Sequence, residues 1–258
     1  MQDRYAGDVG DFGKFALLRY LFSNANYKIG VIWYRFPDES HNNDGGQIDY
    51  VNKSSFLDCD KYLCERLSTV LSGKRSVASL EKARLLPSNT VYFSELLDFH
   101  QKYSSQNNKD KEEREVRRKD WLKKAIQSVS DCNVIFVDPD NGLQIASCPK
   151  INQMRSGKFA YYPEIMELAK GKELCVIYHH LNRHKMHGTH ESQIRIRAGE
   201  LREQIKPTRK VFALRYRPYS PRAYFILTSK SEEIRIRKNL NNFLYSSYGQ
   251  HRDSYYET

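Results

Sequence analysis

The sequence predicts an α/β fold built on a doubly wound, mixed β-sheet. Three apolar runs, at residues 29–34, 134–137 and 174–178, each end in a polar segment. This pattern is typical of buried parallel strands whose carboxyl ends meet at one edge of a sheet. Two further β-rich runs, 210–216 and 222–228, flank a Pro-Tyr-Ser-Pro turn and predict a C-terminal antiparallel hairpin.

Helical patterns lie between these strands. The first, over residues 12–23, follows a loop rich in Gly and Asp, and its apolar residues Phe15, Leu18 and Leu21 recur at helical spacing. The other predicted elements, in chain order, are helices at 56–72 and 76–85, a short strand at 90–93, a helix around Trp121 and Ala125, and helices at 162–170, 189–205 and 231–245.

The chain of 258 residues is predicted to form a single domain over 1–258. We expect a helical insertion around 50–88 and a polar connector around 104–120, where almost every side chain is polar. The five cysteines are odd in number and lack the paired spacing of a zinc site, which favours a reducing cytoplasmic location. Since no apolar run approaches the roughly 18 residues of a membrane span, we expect no membrane association.

Composition indicates a polyanionic partner. The formal net charge is +11, which favours a nucleic acid, either DNA or RNA, although a basic protein without such a partner would have the same charge. The 18 Tyr and 12 Phe residues offer many surfaces on which bases could stack. A protein partner is a further possibility.

The strongest candidate site follows the apolar run 134–137. Asp138, Pro139, Asp140 and Asn141 form a stiff polar turn with two carboxylates and an amide. In open α/β sheets, ligands bind outside the carboxyl ends of the strands. The sequence therefore predicts a ligand site at this turn.

Two motifs resemble those of a known enzyme family. Residues 5–18, Tyr-Ala-Gly-Asp-Val-Gly-Asp-Phe-Gly-Lys-Phe-Ala-Leu-Leu, resemble the opening motif of adenine-N6 methyltransferases, and the turn at 138–141 resembles their Asp-Pro-Pro-Tyr motif. The C-terminal hairpin is similar to the reversed last strand of the S-adenosylmethionine-dependent methyltransferases. The likeness extends to the ribosomal RNA adenine-N6 methyltransferases, and it implies a Rossmann-like methyltransferase fold.

The resemblance implies methylation of an amino group of a nucleic-acid base, with S-adenosylmethionine as the cofactor. Asp138 would hold the amine, assisted by the Pro139 carbonyl, and Asp140 and Asn141 would complete the turn. The implied cofactor-binding residues are Tyr5, Gly7, Lys14, Tyr34 and Glu95, and the implied substrate-binding residues are Lys158, His180, Arg183 and Arg222.

The sequence departs from the family pattern at two places. Asp140 and Asn141 replace the second proline and the aromatic residue of the turn, so the base-stacking group is missing there. The first strand leads into residues 33–37, Trp-Tyr-Arg-Phe-Pro, instead of a Gly-x-Gly turn. The same segments also resemble a bacterial protein family that has Asp-Pro-Asp-Asn-Gly at this turn, from which we carry over no function.

Two alternatives remain open. Asp138 and Asp140, with Asp44, could bind Mg²⁺ or Mn²⁺ in a nuclease, because carboxylate oxygens suit these metals and a nearby histidine could activate water. The chain could instead be a catalytically inactive methyltransferase-like binding module of a multi-protein system. Both catalytic hypotheses require the turn at 138–141 and the glycine segment at 5–14 to share one crevice.

Overall fold

A computed structural model describes residues 1–22, 27–39, 44–100, 102–182, 188–205 and 209–257. The helices in these ranges are α1 (Val9–Phe22), α2 (Ser54–Ser72), α3 (Val77–Lys82), α4 (Asn108–Ser128), α5 (Tyr162–Ala169), α6 (His190–Gln204) and α7 (Glu233–Tyr245). The strands are β1 (Ile29–Trp33), β2 (Val91–Phe93), β3 (Val134–Asp138), β4 (Gly142–Leu143), β5 (Phe159–Ala160), β6 (Leu174–His180), β7 (Lys210–Tyr216), β8 (Arg222–Thr228) and β9 (Arg252–Glu257).

Within the described residues, seven strands form one mixed sheet in the order β2-β1-β3-β6-β8-β7-β9. Strands β2, β1, β3 and β6 are parallel, whereas β8 pairs antiparallel with both β6 and β7. The chain runs from β1 outwards to β2 and then to β3 on the other side of β1, so the strand order reverses between β1 and β3. The predicted α/β fold, with a Rossmann-like mixed sheet and C-terminal antiparallel strands, is confirmed.

Alternation along the strands divides the core into two layers. In β3, Val134 and Phe136 pack on the face that also buries α1, α2, α3 and α7. Ile135 and Val137 pack on the opposite face, against α4, α5 and α6. Because both faces are covered by helices, the central strands are apolar on both sides, as their sequences indicated.

The structure differs from the predicted polar connector. Helix α4 begins at Asn108, after Asn107 caps it by accepting a hydrogen bond from the Asp110 N–H at 2.7 Å. Arg114 and Arg118 of this helix are buried, and both donate to backbone carbonyls. Composition did not predict this buried face, because a long polar side chain is buried only where the fold supplies hydrogen-bond acceptors for it.

Three short elements were absent from the prediction. Strand β9 follows the last predicted helix and pairs antiparallel with β7 at the edge of the sheet. Strands β4 and β5 form a separate parallel pair next to the turn at 138–141.

In the part of the chain described here, no helix combines the length and the apolar character needed to cross a lipid bilayer.

Candidate active site

A cleft of about 1080 Å³ opens at the edge of the sheet where β3 and β6 end and β8 begins. Because β8 runs antiparallel to β6, its first residue, Arg222, lies opposite His180 at the same edge. The cleft is next to the reversal of strand order between β1 and β3, where ligands of doubly wound folds bind. Residues of the α1 segment and of the turn after β3 both line it, including Tyr5, Gly10, Lys14, Asp138 and Asn141. The two predicted motifs therefore share one crevice.

The first turn of α1 is capped by carboxylates of the protein itself. Asp8 Oδ1 accepts hydrogen bonds from the N–H groups of Gly10 (2.8 Å) and Asp11 (3.2 Å). Asp11 Oδ2 accepts from the Gly7 N–H (2.8 Å), and the Gly7 carbonyl accepts from the Tyr50 hydroxyl (2.9 Å). Gly7 has a positive φ of 81°, which glycine adopts without strain. Both polar groups of Gly7 are thus engaged within the protein, which gives its predicted cofactor contact no support.

Asp11, Lys14 and Asp138 form a buried cluster, called here the Lys14 cluster. Lys14 Nζ donates to Asp11 Oδ1 (3.0 Å) and Asp138 Oδ2 (2.9 Å), and it lies 3.7 Å from Met1 Sδ. Burial alone would lower the pKa of Lys14, but the Asp138 and Asp11 carboxylates outweigh burial and hold this pKa well above its usual range. The three donors of the ammonium group each have an acceptor, so Lys14 is committed to holding Asp138.

Asp138 keeps one oxygen without a partner. The side-chain alternation of β3 turns Asp138 towards α1, on the same face as Phe136. Its Oδ2 binds Lys14, whereas none of the described residues donates a hydrogen bond to Oδ1, which is buried. A buried acceptor without a donor is costly unless something binds it. This oxygen is the clearest indication of a ligand contact in the cleft.

The rest of the turn is pinned by neighbouring segments. Asp140 Oδ2 accepts from Gln2 Nε2 at 2.9 Å, and its carboxylate also lies within 4 Å of Lys158 Nζ (3.7 Å) and of the Met1 amino group (3.5 Å). The backbone N–H of Asn141 donates to the Lys158 carbonyl (2.9 Å). Pro139 is buried, and the Asn141 side chain is exposed at the cleft. The turn is therefore rigid, which suits an acceptor that must stay in place.

His179 is a neutral imidazole that lines the cleft. The Leu143 N–H donates to His179 Nδ1 at 3.0 Å, so the ring proton of the neutral form resides on Nε2. Burial, together with the charges of Arg197 and His180, lowers the pKa of His179 to about 3. In the sequence His179 is one of five histidines between residues 179 and 190, and only the fold shows that it is buried. Its neighbour His180 is exposed and also lines the cleft.

Arg222 ties the hairpin turn to the cleft. Its Nε donates to the Tyr178 hydroxyl (3.2 Å), and its Nη1 donates to the Ser220 carbonyl (2.8 Å) and, at longer range, to the Pro218 carbonyl (3.4 Å). Its Nη2 lies 3.7 Å from Asp8 Oδ2, at the start of α1. Arg222 therefore joins α1, β6 and the β7–β8 turn around one edge of the cleft.

The remaining predicted site residues separate into three groups. Tyr5 and Asp44 line the cleft. Tyr34 is buried on the opposite face of the sheet, where its hydroxyl donates to Glu164 Oε2 at 3.3 Å. Glu95 lies beside α4, where it pairs with Lys124 at 3.2 Å. Arg183 is outside the described residues. Tyr34 continues the side-chain alternation of β1 and shares the α4–α5 face with Ile32. Glu95 lies against α4, where its carbonyl accepts from Trp121 Nε1 at 2.8 Å.

The metal alternative gains no geometric support. Across the described ranges, no group of three or more His, Cys, Asp or Glu side chains is arranged to hold a metal ion. Asp138 and Asp140 both face cations instead, Lys14 in one case and Lys158 with the Met1 amino group in the other.

No protein-family model matches the chain, and no curated protein matches it either. The fold and the cleft define its class as a Rossmann-like α/β protein with a cleft next to the point where the strand order reverses.

Proposed function

We propose that this protein is an S-adenosylmethionine-dependent methyltransferase that acts on an amino group of a nucleic-acid base. The observation that carries the proposal is the unpartnered oxygen of Asp138. Oδ1 belongs to a buried carboxylate that lines the cleft and is fixed through its other oxygen by Lys14. A fixed acceptor of this kind is complementary to an N–H donor, and the exocyclic amine of a base is such a donor.

Asp138 would act by positioning the amine. By accepting one N–H, Oδ1 would direct the nitrogen lone pair towards the methyl group, and its negative charge would stabilise the positive charge that develops on the nitrogen. The proton that the nitrogen loses could pass to the same carboxylate. When bound, S-adenosylmethionine would supply the methyl group. Lys14 is a positioning residue in this scheme, because its donors are all engaged by Asp11, Asp138 and Met1.

The cleft has room for both ligands. Its volume of about 1080 Å³ lies just above the roughly 300–1,000 Å³ typical of a site for one small molecule. Of the residues predicted to bind the cofactor, Tyr5 lines the cleft and is left to contact it. The formal charge of +11 supports a polyanionic substrate.

The substitution Asp138→Asn tests the proposal. The ammonium group of Lys14 needs an acceptor, so the amide oxygen of the variant will face Lys14 and the NH₂ group will take the position of Oδ1. A donor then faces the donor of the substrate amine. We expect methyl transfer to single-stranded DNA or RNA to fall by about 100-fold or more, by analogy with the loss of one catalytic hydrogen-bonding group. Calorimetry should show nearly unchanged affinity for S-adenosylmethionine.

Glu95→Gln is the matched control, because Glu95 is a half-exposed carboxylate paired with Lys124 beside α4. This variant should transfer methyl groups at the wild-type rate. The proposal is wrong if the wild-type protein binds no S-adenosylmethionine, or if Asp138→Asn transfers methyl groups as fast as the wild type.

One observation favours a second candidate, the inactive binding module. The position that would carry a stacking aromatic is the exposed Asn141, and Lys14 has no donor left for a cofactor carboxylate. A binding module would retain affinity for oligonucleotides while failing to bind S-adenosylmethionine. The same calorimetric titration distinguishes it from the enzyme.

A further inference from the structure

We propose that Tyr219 provides the aromatic surface on which a nucleobase stacks in the cleft. This inference rests on the proposed function in one respect, namely that the ligand contains a base. Tyr219 lies in the turn between β7 and β8 and lines the same cleft as Asp138. Its side chain is 42% exposed, so its ring is open to a ligand in the cleft.

The backbone of Tyr219 is strained. Its φ is +58°, and of the described non-glycine residues only Arg84 is also positive, at +52°. A bulky L-residue rarely adopts this conformation, whereas Gly or Asn would adopt it easily. Strain that persists in a fold tends to occur where a side chain has a function. The turn therefore keeps a tyrosine where the backbone alone would favour glycine.

The turn is held rigidly relative to Asp138. Arg222 binds the carbonyls of the two residues that flank Tyr219, Pro218 and Ser220. The same guanidinium donates to the Tyr178 hydroxyl, and the Tyr178 ring lies 4.9 Å from Lys14 Nζ. Lys14 in turn binds Asp138. A continuous series of contacts thus connects the ring-bearing turn to the proposed amine acceptor.

A cation stands beside the ring. Lys53 Nζ donates to the Tyr219 hydroxyl at 2.5 Å and lies 5.2 Å from the ring centroid. Stacking on an aromatic ring next to an exposed lysine is the arrangement that binds an unpaired nucleotide, with the base on the ring and the phosphate near the cation. We infer that the substrate is single-stranded, or carries a base extruded from a duplex, since a paired base exposes no face to such a ring.

The test uses a short single-stranded oligonucleotide that carries the fluorescent adenine analogue 2-aminopurine. Stacking quenches this fluorophore, and anisotropy gives the dissociation constant. Stacking of one base on an aromatic side chain contributes to the binding free energy. We therefore expect Tyr219→Ala to weaken binding about tenfold and to remove most of the quenching. Tyr219→Phe keeps the ring and should retain both.

Tyr62→Ala is the control. Tyr62 has a similar exposure of 45%, and guanidinium groups of Arg19 and Arg66 lie near its ring, but it belongs to α2, outside the cleft-lining residues. This variant should bind the oligonucleotide like the wild type. An equal loss of affinity in Tyr62→Ala and Tyr219→Ala would overturn the inference, because any exposed tyrosine would then contribute to non-specific binding.

The outcomes separate this inference from the proposed function. If Tyr219→Ala binds and quenches like the wild type while Asp138→Asn has lost methyl transfer, the stacking role is wrong and the enzyme proposal stands. If the wild type transfers no methyl groups but Tyr219→Ala loses affinity, the stacking role stands in a binding module. If the wild type binds no oligonucleotide, the inference is wrong.

Discussion

Among the described residues, two buried charged clusters on opposite faces of the central sheet differ in completeness. The Lys14 cluster lies on the α1 face and borders the cleft. The second cluster, called here the Arg118 cluster, consists of Tyr34, Arg118 and Glu164 on the α4–α5 face. Arg118 binds Glu164 through two N–H···O bonds of 2.5 and 2.9 Å and also donates to the Ser156 and Phe159 carbonyls.

Every carboxylate oxygen of the Arg118 cluster faces a donor. Glu164 Oε1 accepts from Arg118, and Oε2 accepts from Arg118, from the Tyr34 hydroxyl and from the Tyr161 N–H at 3.1 Å. In the Lys14 cluster, by contrast, Asp138 Oδ1 has no donor among the described residues. A complete buried network serves stability, whereas an acceptor without a donor at a cleft is open to a hydrogen bond from a water or a ligand.

The largest effect is expected for Glu164→Gln. Because donors surround both oxygens of Glu164, the NH₂ group of glutamine must face an N–H, and Arg118 loses its counter-charge. Removing one partner of a buried ion pair typically costs about 3–5 kcal/mol. Urea denaturation should show this loss in the free energy of unfolding. A loss below about 1 kcal/mol, the level of an exposed ion pair, would show that the cluster is not the complete network described here.

The next effect concerns pH and the neutral His179 of the cleft. Its folded-state pKa of about 3 lies below the ordinary 6.5, so the unfolded chain takes up a proton that the folded protein does not as the pH falls from 6.5 towards 3. Stability is therefore present above pH 6.5 and is lost on acidification. Near pH 5, about 1.5 units below the ordinary value, the loss from His179 should be about 2 kcal/mol.

His179→Asn isolates this contribution, because the amide oxygen can still accept from the Leu143 N–H. The difference in unfolding free energy between neutral pH and pH near 5 should shrink by about 2 kcal/mol in the variant. Asp11 acts in the opposite direction: burial is the main cause that raises its pKa to about 6, so its contribution falls as the pH rises from 3.8 to about 6. Asp11 is present in both the wild type and His179→Asn, so its contribution cancels in the comparison. If the two proteins show the same change in unfolding free energy between neutral pH and pH near 5, His179 is not a buried neutral imidazole.

A smaller stability change is expected for Asp138→Asn. Its amide oxygen can face Lys14 and its NH₂ group can take the place of the unpartnered Oδ1, so no donor is forced against a donor. We expect a loss of about 1–2 kcal/mol, the difference between a charged and a neutral hydrogen-bond partner. Urea denaturation of Asp138→Asn and Glu164→Gln compares the two clusters directly, since both substitutions replace a buried carboxylate by its amide. Equal losses would remove the distinction between the two clusters.

The smallest effect is expected for Tyr219→Gly at the cleft rim. Relief of the positive φ favours the folded state by about 1–2 kcal/mol, and the added freedom of glycine in the unfolded chain offsets about 0.5–1 kcal/mol of this. The variant should thus be as stable as the wild type or slightly more so in the same denaturation assay. A clear loss of stability would show that the tyrosine ring is held for packing.

Much of the architecture could be predicted because its signals are local. The apolar runs at β1, β3 and β6, and the paired runs at β7 and β8, are visible in the sequence, and their alternation with helical patterns indicates the α/β class. The turn at 138–141 was found for the same reason. Helix α4 was partly missed, because the burial of Arg114 and Arg118 depends on carbonyls from residues 103–105 and 152–159.

The candidate site was predictable in its location but not in its contacts. Asp138 and Lys14 were identified in separate motifs that lie 124 residues apart, and only the packing of α1 on the sheet brings them within 2.9 Å. The same packing uses up the donors of Lys14, which changes its expected role from binding a cofactor to positioning Asp138. Tyr34 and Glu95 follow strands β1 and β2, yet both lie on the α4 side of the sheet.

The sequence by itself determined the α/β class, the order of most elements and the polar turn that ends β3, because periodicity and turn chemistry are properties of neighbouring residues. Only the tertiary structure decided which charges meet, which oxygen stays without a donor, and that Tyr219 stands at the rim of the cleft. Those facts depend on contacts between segments far apart in the chain, and no local pattern encodes the distance between two such side chains.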